Sequence, residues 1–198
     1  MATVSETTLT TEEYFHWVDR LENKGCRFEL VRNEPLELTR WPESFVPAYH
    51  RLLSVLTDYV IRRKCGSVAM MGDGVITRRT PDTVRCPTAM VFLRPAPVDD
   101  FPPRYTTEVP HLVVEFSPPG DKYSRLMKQI IEYVEFGVPL VWVGEPDEQA
   151  VSIYQPKRTP HVVAGDDELT GSGVLPDFSC RVADLFILPG QTPPATTS

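Results

Sequence analysis

Pro110-His111-Leu112-Val113-Val114-Glu115-Phe116-Ser117-Pro118 is the stretch that decides the fold. The run from His111 to Ser117 is short, rich in β-branched and aromatic residues, and closed by Ser117-Pro118-Pro119-Gly120, which predicts a buried strand followed by a turn. Lys122 to Phe136 comes next with helical spacing, and Tyr123, Leu126, Met127, Ile130 and Val134 fall on one side. Gly137 stops that helix, Leu140 to Val143 reads as a second strand, and Ala150 to Gln155 as a third. Two strands joined through a helix by short turns form a crossover unit, which predicts a parallel pair, a right-handed connection and an α/β fold.

Glu115 is the chemical anomaly of this stretch. An unpaired carboxylate inside Leu112-Val113-Val114-Glu115-Phe116 is costly to bury. Alternation places it on the face shared by Val113 and Ser117. Either Glu115 lies at an exposed strand end, or a metal, an arginine or a hydrogen-bonding partner compensates its charge. A carboxylate at a strand end followed by Ser-Pro-Pro-Gly is well placed for a metal-assisted site.

Towards the N-terminus, Thr88 to Leu93 reads as a strand and the proline-rich Arg94 to Arg104 as a loop. Ser67 to Arg78 reads as strand, turn and strand around Gly72-Asp73-Gly74, which suits a hairpin; neither glycine-rich phosphate-binding fingerprint follows. Pro47 opens a helix with Tyr49, Leu52, Leu53, Leu56, Tyr59 and Val60 on one face, ending near Cys65-Gly66. His50 in its first turn is a cap, a core partner or a substrate contact. Cys26 to Leu38 reads as a hairpin turning near Arg32 to Pro35. Thr10 with Glu13 makes a capping box ahead of a helix carrying Tyr14, Trp17, Val18 and Leu21. After the crossover come short antiparallel additions, and Pro189 to Ser198 reads as a polar, proline-rich, disordered tail. The expectation is one domain over residues 1–188.

The 198 residues, 41% hydrophobic and 24% charged, suit one globular domain with a substantial core. No apolar run is long enough to span a bilayer, and Met1 to Thr11 does not read as a secretory signal, so the expected location is cytoplasmic. Cys26, Cys65, Cys86 and Cys180 are scattered, without zinc-ligand spacing, and read as reduced thiols packed in the interior. His16, His111 and His161 show no metal spacing either. A net charge of −7 argues against a broad, sequence-independent grip on nucleic acid. Arg62, Arg63 and Lys64, and further on Arg78, Arg79 and Arg85, are local exceptions that fit either a solvated surface or a basic cleft.

Further segments carry a resemblance. They are Phe28-Glu29-Leu30-Val31, His50 opening a helix, Val84-Arg85-Cys86-Pro87-Thr88, and the Pro110 to Pro118 stretch. Tyr133, Gly137-Val138-Pro139, Trp142, Val174-Leu175-Pro176-Asp177-Phe178 and Asp184-Leu185-Phe186 follow. In this order the chain from about Thr10 to Leu188 resembles the Uma-two family of restriction endonucleases, a branch of the PD-(D/E)XK nuclease superfamily. The resemblance implies a restriction-endonuclease-like α/β fold with a mixed central β-sheet flanked by helices. It also implies DNA as partner, hydrolysis of its phosphodiester bonds, and magnesium held by an aspartate and a glutamate, with a lysine near the attacking water. Nucleases that cut both strands often pair, which makes a homodimer an expectation too.

Carried over residue by residue, the resemblance makes Glu115 the strand glutamate. It makes Glu29 and Glu34 further acidic positions, although Arg32-Asn33 stands where Asp-Gly is usual. The Pro-Asp pair of the family is Pro87-Thr88 here, and a neutral hydroxyl is a poor ligand for a hard cation. Asp82, six residues before Thr88, is the acid that could replace it. The lysine position, four residues before Tyr133, holds Gln129; Lys128 is its neighbour but faces the opposite side of the helix, beside Glu132 and Glu135. The reading is thus a magnesium-dependent endonuclease with a degenerate site, in which Glu115 meets at least one of Glu29, Glu34 and Asp82. The alternative is a nuclease fold that has lost catalysis and serves as a binding or interaction module.

Overall fold

The computed structural model describes residues 8–40, 42–95, 103–117 and 123–187. In chain order the elements are α1 (Thr11–Val18), β1 (Arg27–Val31), β2 (Glu34–Leu38), α2 (Val46–Arg63), β3 (Gly66–Met70), β4 (Gly74–Arg78), β5 (Thr83–Arg85), β6 (Ala89–Leu93) and β7 (Tyr105–Thr106). They continue through β8 (Leu112–Phe116), α3 (Tyr123–Phe136), β9 (Val141–Glu145), β10 (Ala150–Tyr154), β11 (His161–Ala164), β12 (Glu168–Thr170), β13 (Ser179–Arg181) and α4 (Val182–Leu185). Two compact units result. The first comprises Met1–Arg40, Met71–Cys86 and Pro102–Glu108, the second Trp41–Met70, Pro87–Phe101 and Val109–Ser198. The expected tail from Pro189 lies outside the described residues.

The first unit is a five-stranded sheet in the order β2-β1-β5-β4-β7, antiparallel except for the β4–β7 pair. Arg32 and Asn33 join β1 to β2 with φ of 53° and 70°, a two-residue turn whose positive dihedrals match the twist of the strands. Helix α1 begins with the expected capping box: Glu13 N donates to the Thr10 hydroxyl, and Thr10 N donates back to the Glu13 carboxylate at 2.8 Å. The helix stops at Val18, however, and Leu21, expected on its apolar face, is 81% exposed in a short 3-10 turn. Tyr14, Leu30, Ile76, Val84 and Cys86 form the core of this unit.

Asp82 completes the α1 terminus. Its carboxylate accepts from Thr11 N at 2.8 Å and from the Thr11 hydroxyl at 2.7 Å, and also from Thr80 N at 3.1 Å. Burial pushes its pKa up, but the hydrogen bonds from Thr11 and Thr80 and the Arg79 guanidinium outweigh that and hold it below the ordinary carboxylate value. A depressed folded pKa means that the stabilisation is present above the unfolded pKa and is lost as pH falls through the folded one. Asp82→Ala is therefore expected to cost about 1–2 kcal/mol at neutral pH. In urea titrations the gap from wild type should close below about pH 3.9, the unfolded value; a gap that persists in acid would refute this role.

The second unit is a six-stranded mixed sheet in the order β11-β10-β9-β8-β6-β3, in which only β8 and β9 are parallel. That pair is the crossover predicted from the Pro110 to Pro118 stretch. Leu112, Val114 and Phe116 join Leu52, Leu56 and Val60 of α2 in one core cluster. Each such buried aliphatic side chain contributes about 1.5–3 kcal/mol. Gly144 pairs with Phe116 in register, and a Cβ there would lie 2.2 Å from the Phe116 ring, so β8 and β9 fit together only with glycine at 144. Gly72-Asp73-Gly74 does not close the expected hairpin: β3 pairs with β6 and β4 with β5 and β7, so the two strands enter different sheets. A further two-stranded pairing, β12 with β13, and α4 close the described chain.

Candidate active site

Strand alternation turns Glu115 away from Leu112, Val114 and Phe116 and their α2 contacts, onto the opposite face of the sheet. In register it stands opposite Val143 of β9; Ala89 of β6 pairs with Val114, which brings Thr88 alongside it. Glu115 is buried at 8% exposure, and Thr88 and Tyr133 are both at 0%. Thr88 Oγ1 donates to Glu115 Oε2 at 3.3 Å, a long bond, and the Tyr133 hydroxyl donates to Oε1 at 2.8 Å. Of the two readings open in the sequence, the buried one with hydrogen-bonding partners is what the structure shows.

Helix α3 delivers Tyr133 because Leu126, Gln129, Ile130 and Tyr133 form its buried stripe at three- and four-residue spacing. Its C-terminus is fixed by Gly137, with φ of 108°, whose N–H reaches Val134 O while Val138 N–H reaches Tyr133 O. Gln129 lies one turn before Tyr133 and is buried at 8% exposure, inside the stripe. Lys128 is exposed.

The remaining candidates belong to the first unit. Glu29, fully buried on β1, accepts from Arg85 Nη1 at 2.8 Å and from Cys86 N at 3.2 Å, so both its oxygens are engaged. Glu34 is exposed on β2 opposite Val31. Asp82 caps α1 as described. Among the described residues, no three or more His, Cys, Asp or Glu side chains gather so as to hold a metal ion.

Sequence reasoning missed two groups. Tyr133 served only as a landmark, although a tyrosine in the buried stripe of a crossover helix needs a partner for its hydroxyl. Glu145 was not considered: two residues beyond Val143, it ends β9 on the same face as Glu115. Its carboxylate accepts from the Ser152 hydroxyl on β10, which draws it to the side of β9 away from β8.

Two neutral hydroxyls, those of Thr88 and Tyr133, thus donate to the Glu115 carboxylate. A hard dication takes oxygen ligands with enough negative charge to replace its hydration shell. Neither the Thr88 nor the Tyr133 hydroxyl brings such charge.

A family model described as Uma2, putative restriction endonuclease, matches residues 11–183. The structure is similar to the crystal structure of a putative nuclease belonging to DUF820 from Anabaena variabilis ATCC 29413. The TM-score is 0.73 at 17% identity, over 90% of this chain and 97% of that chain. At such identity the likeness carries the fold, an α/β arrangement of mixed sheets flanked by helices. No protein of curated function matches the sequence.

Proposed function

We propose, from the premise that this chain belongs to the Uma2 family of putative restriction endonucleases, that it is a nuclease-fold protein directed at DNA whose Glu115 site is degenerate. In this reading magnesium-dependent cleavage has been lost and the domain serves as a binding or interaction module. Family and fold support a nuclease ancestry and DNA as the partner. The observation that carries the finer reading is the pair of neutral hydroxyls, Thr88 and Tyr133, that donate to the buried Glu115 carboxylate. Metal-assisted phosphodiester hydrolysis needs a cation to stabilise the phosphate and lower the pKa of its water. Thr88 stands at the position of the second acid and Gln129 at that of the lysine, so neither of these positions supplies a charge. Lys128, exposed on α3, takes no part. Glu29, Glu34 and Asp82 have structural or surface roles.

A magnesium-dependent endonuclease is the second reading, favoured by the family itself and by the placement of Glu115 near the end of a buried strand. Incubation of supercoiled and linear DNA with wild-type and Glu115→Ala protein, in magnesium or manganese, separates the two. The expected result is no nicking by either protein above a buffer control. Cleavage that depends on the cation and disappears in Glu115→Ala protein would sink the proposal. No helix among the described residues is long and apolar enough to cross a membrane.

A further inference from the structure

An open pocket of about 360 Å³ lies in the second unit, at the C-terminal end of α2. Tyr59, Arg63, Leu93, Arg94, Pro95 and Pro176 line it. It is distinct from the Glu115 site: Thr88 and Arg94 bracket β6 at its two ends, roughly 20 Å apart at the rise of a strand. Its volume falls in the range of small-molecule sites, and its lining combines apolar residues with two arginines.

The pocket is held in shape by its own contacts. Arg94 N donates to Cys65 O at 2.7 Å, and the Tyr59 hydroxyl to Pro176 O at 3.1 Å. The Tyr59 ring rests edge-on against Phe178, with centroids 5.4 Å apart, and the Arg63 guanidinium lies 5.9 Å from the Tyr59 centroid. Arg63 also receives an oxyanion already: its Nη2 meets Asp177 Oδ2 at 2.5 Å. Both partners remain open to solvent, with side-chain exposures of 43% and 79%. An exposed pair of this kind is held weakly, so an anion of higher charge can take the place of the carboxylate. Arg62, Arg63 and Lys64 follow one another here, in a chain whose net charge is −7.

We propose that this pocket binds the phosphate of a nucleotide unit, with Arg63 on the phosphate and the base or sugar against Tyr59 and the two prolines, Asp177 being the carboxylate that the phosphate displaces. Arginine forks suit phosphate oxygens, and an aromatic ring beside a guanidinium accepts a base face without selecting its sequence. The phosphate can come from a free mononucleotide or from a single strand. The inference is independent of whether the Glu115 site cleaves DNA.

The test is a calorimetric titration of the full chain at low salt with adenosine, adenosine 5′-monophosphate and a short single-stranded oligodeoxyadenylate. The monophosphate binds and adenosine does not. Arg63→Ala weakens binding by about tenfold, whereas Asp177→Asn tightens it by about twofold to fivefold. Both substitutions fall on solvent-open side chains, and melting curves confirm that each variant is folded. An oligonucleotide that binds more tightly than the monophosphate identifies a strand as the source, and equal affinities identify the free nucleotide. The proposal is overturned if neither phosphate-bearing probe binds, if adenosine binds as well as the monophosphate, or if Arg63→Ala leaves the affinity unchanged.

Discussion

Arg85→Ala protein is expected to lose about 3–5 kcal/mol of folding stability, the largest single-site effect in the first unit. Arg85 is 5% exposed and Glu29 0%, and they meet at 2.8 Å across β5 and β1. Removing the guanidinium takes away the counter-charge that the buried carboxylate meets at 2.8 Å, which costs more than the net worth of the pair. The Cys86 N–H, at 3.2 Å from Glu29 Oε1, offsets only part of it. Urea denaturation of both proteins measures the difference. Replacing the pair together, as Glu29→Met with Arg85→Met, is expected to recover most of the loss, because no charge remains buried. A single Arg85→Ala cost below about 1 kcal/mol, in the range of an exposed pair, would show that Glu29 has another compensating charge.

Thr88→Asp tests the second unit with an equally large expected effect. It sets a second carboxylate against Glu115 at a position with 0% exposure, within the span now bridged by a 3.3 Å hydrogen bond. Two carboxylates this close cannot both ionise cheaply, so one pKa rises and the protein loses about 3 kcal/mol at neutral pH. The same change puts ligand charge at a position that is now neutral, and a dication that binds only the folded state restores stability by mass action. Thermal melts of Thr88→Asp protein should therefore show a low midpoint that rises with manganese, while wild type shows no such rise. Unchanged stability, or no response to the cation, would mean that Thr88 does not occupy the missing ligand position.

Much of the second unit was legible in the Pro110 to Pro118 stretch, because a strand, a helix and a strand with short turns admit few arrangements. The α1 capping box and the Arg32-Asn33 turn were legible for local reasons, since both are set by residues adjacent in sequence. The fate of Gly72-Asp73-Gly74 was not. A glycine-rich turn between two short strands looks the same whether they pair or part, and here β3 and β4 part into different sheets. The site was legible in one residue: burial of Glu115 inside an apolar strand demands a partner. The identity of that partner was out of reach, since Tyr133 lies eighteen residues further on and reaches Glu115 only through the packing of α3. Asp82 misled for a related reason. Its carboxylate is taken by Thr11, seventy-one residues away in sequence, a contact that no local pattern announces.

In the proposed reading, a nuclease fold here carries a Glu115 carboxylate that accepts from the Thr88 and Tyr133 hydroxyls and binds no magnesium. Calorimetric titration of the wild-type protein with magnesium and with manganese addresses it directly. The expected result is no saturable heat through the millimolar range. A saturable isotherm in wild type that vanishes in Glu115→Ala protein would contradict it.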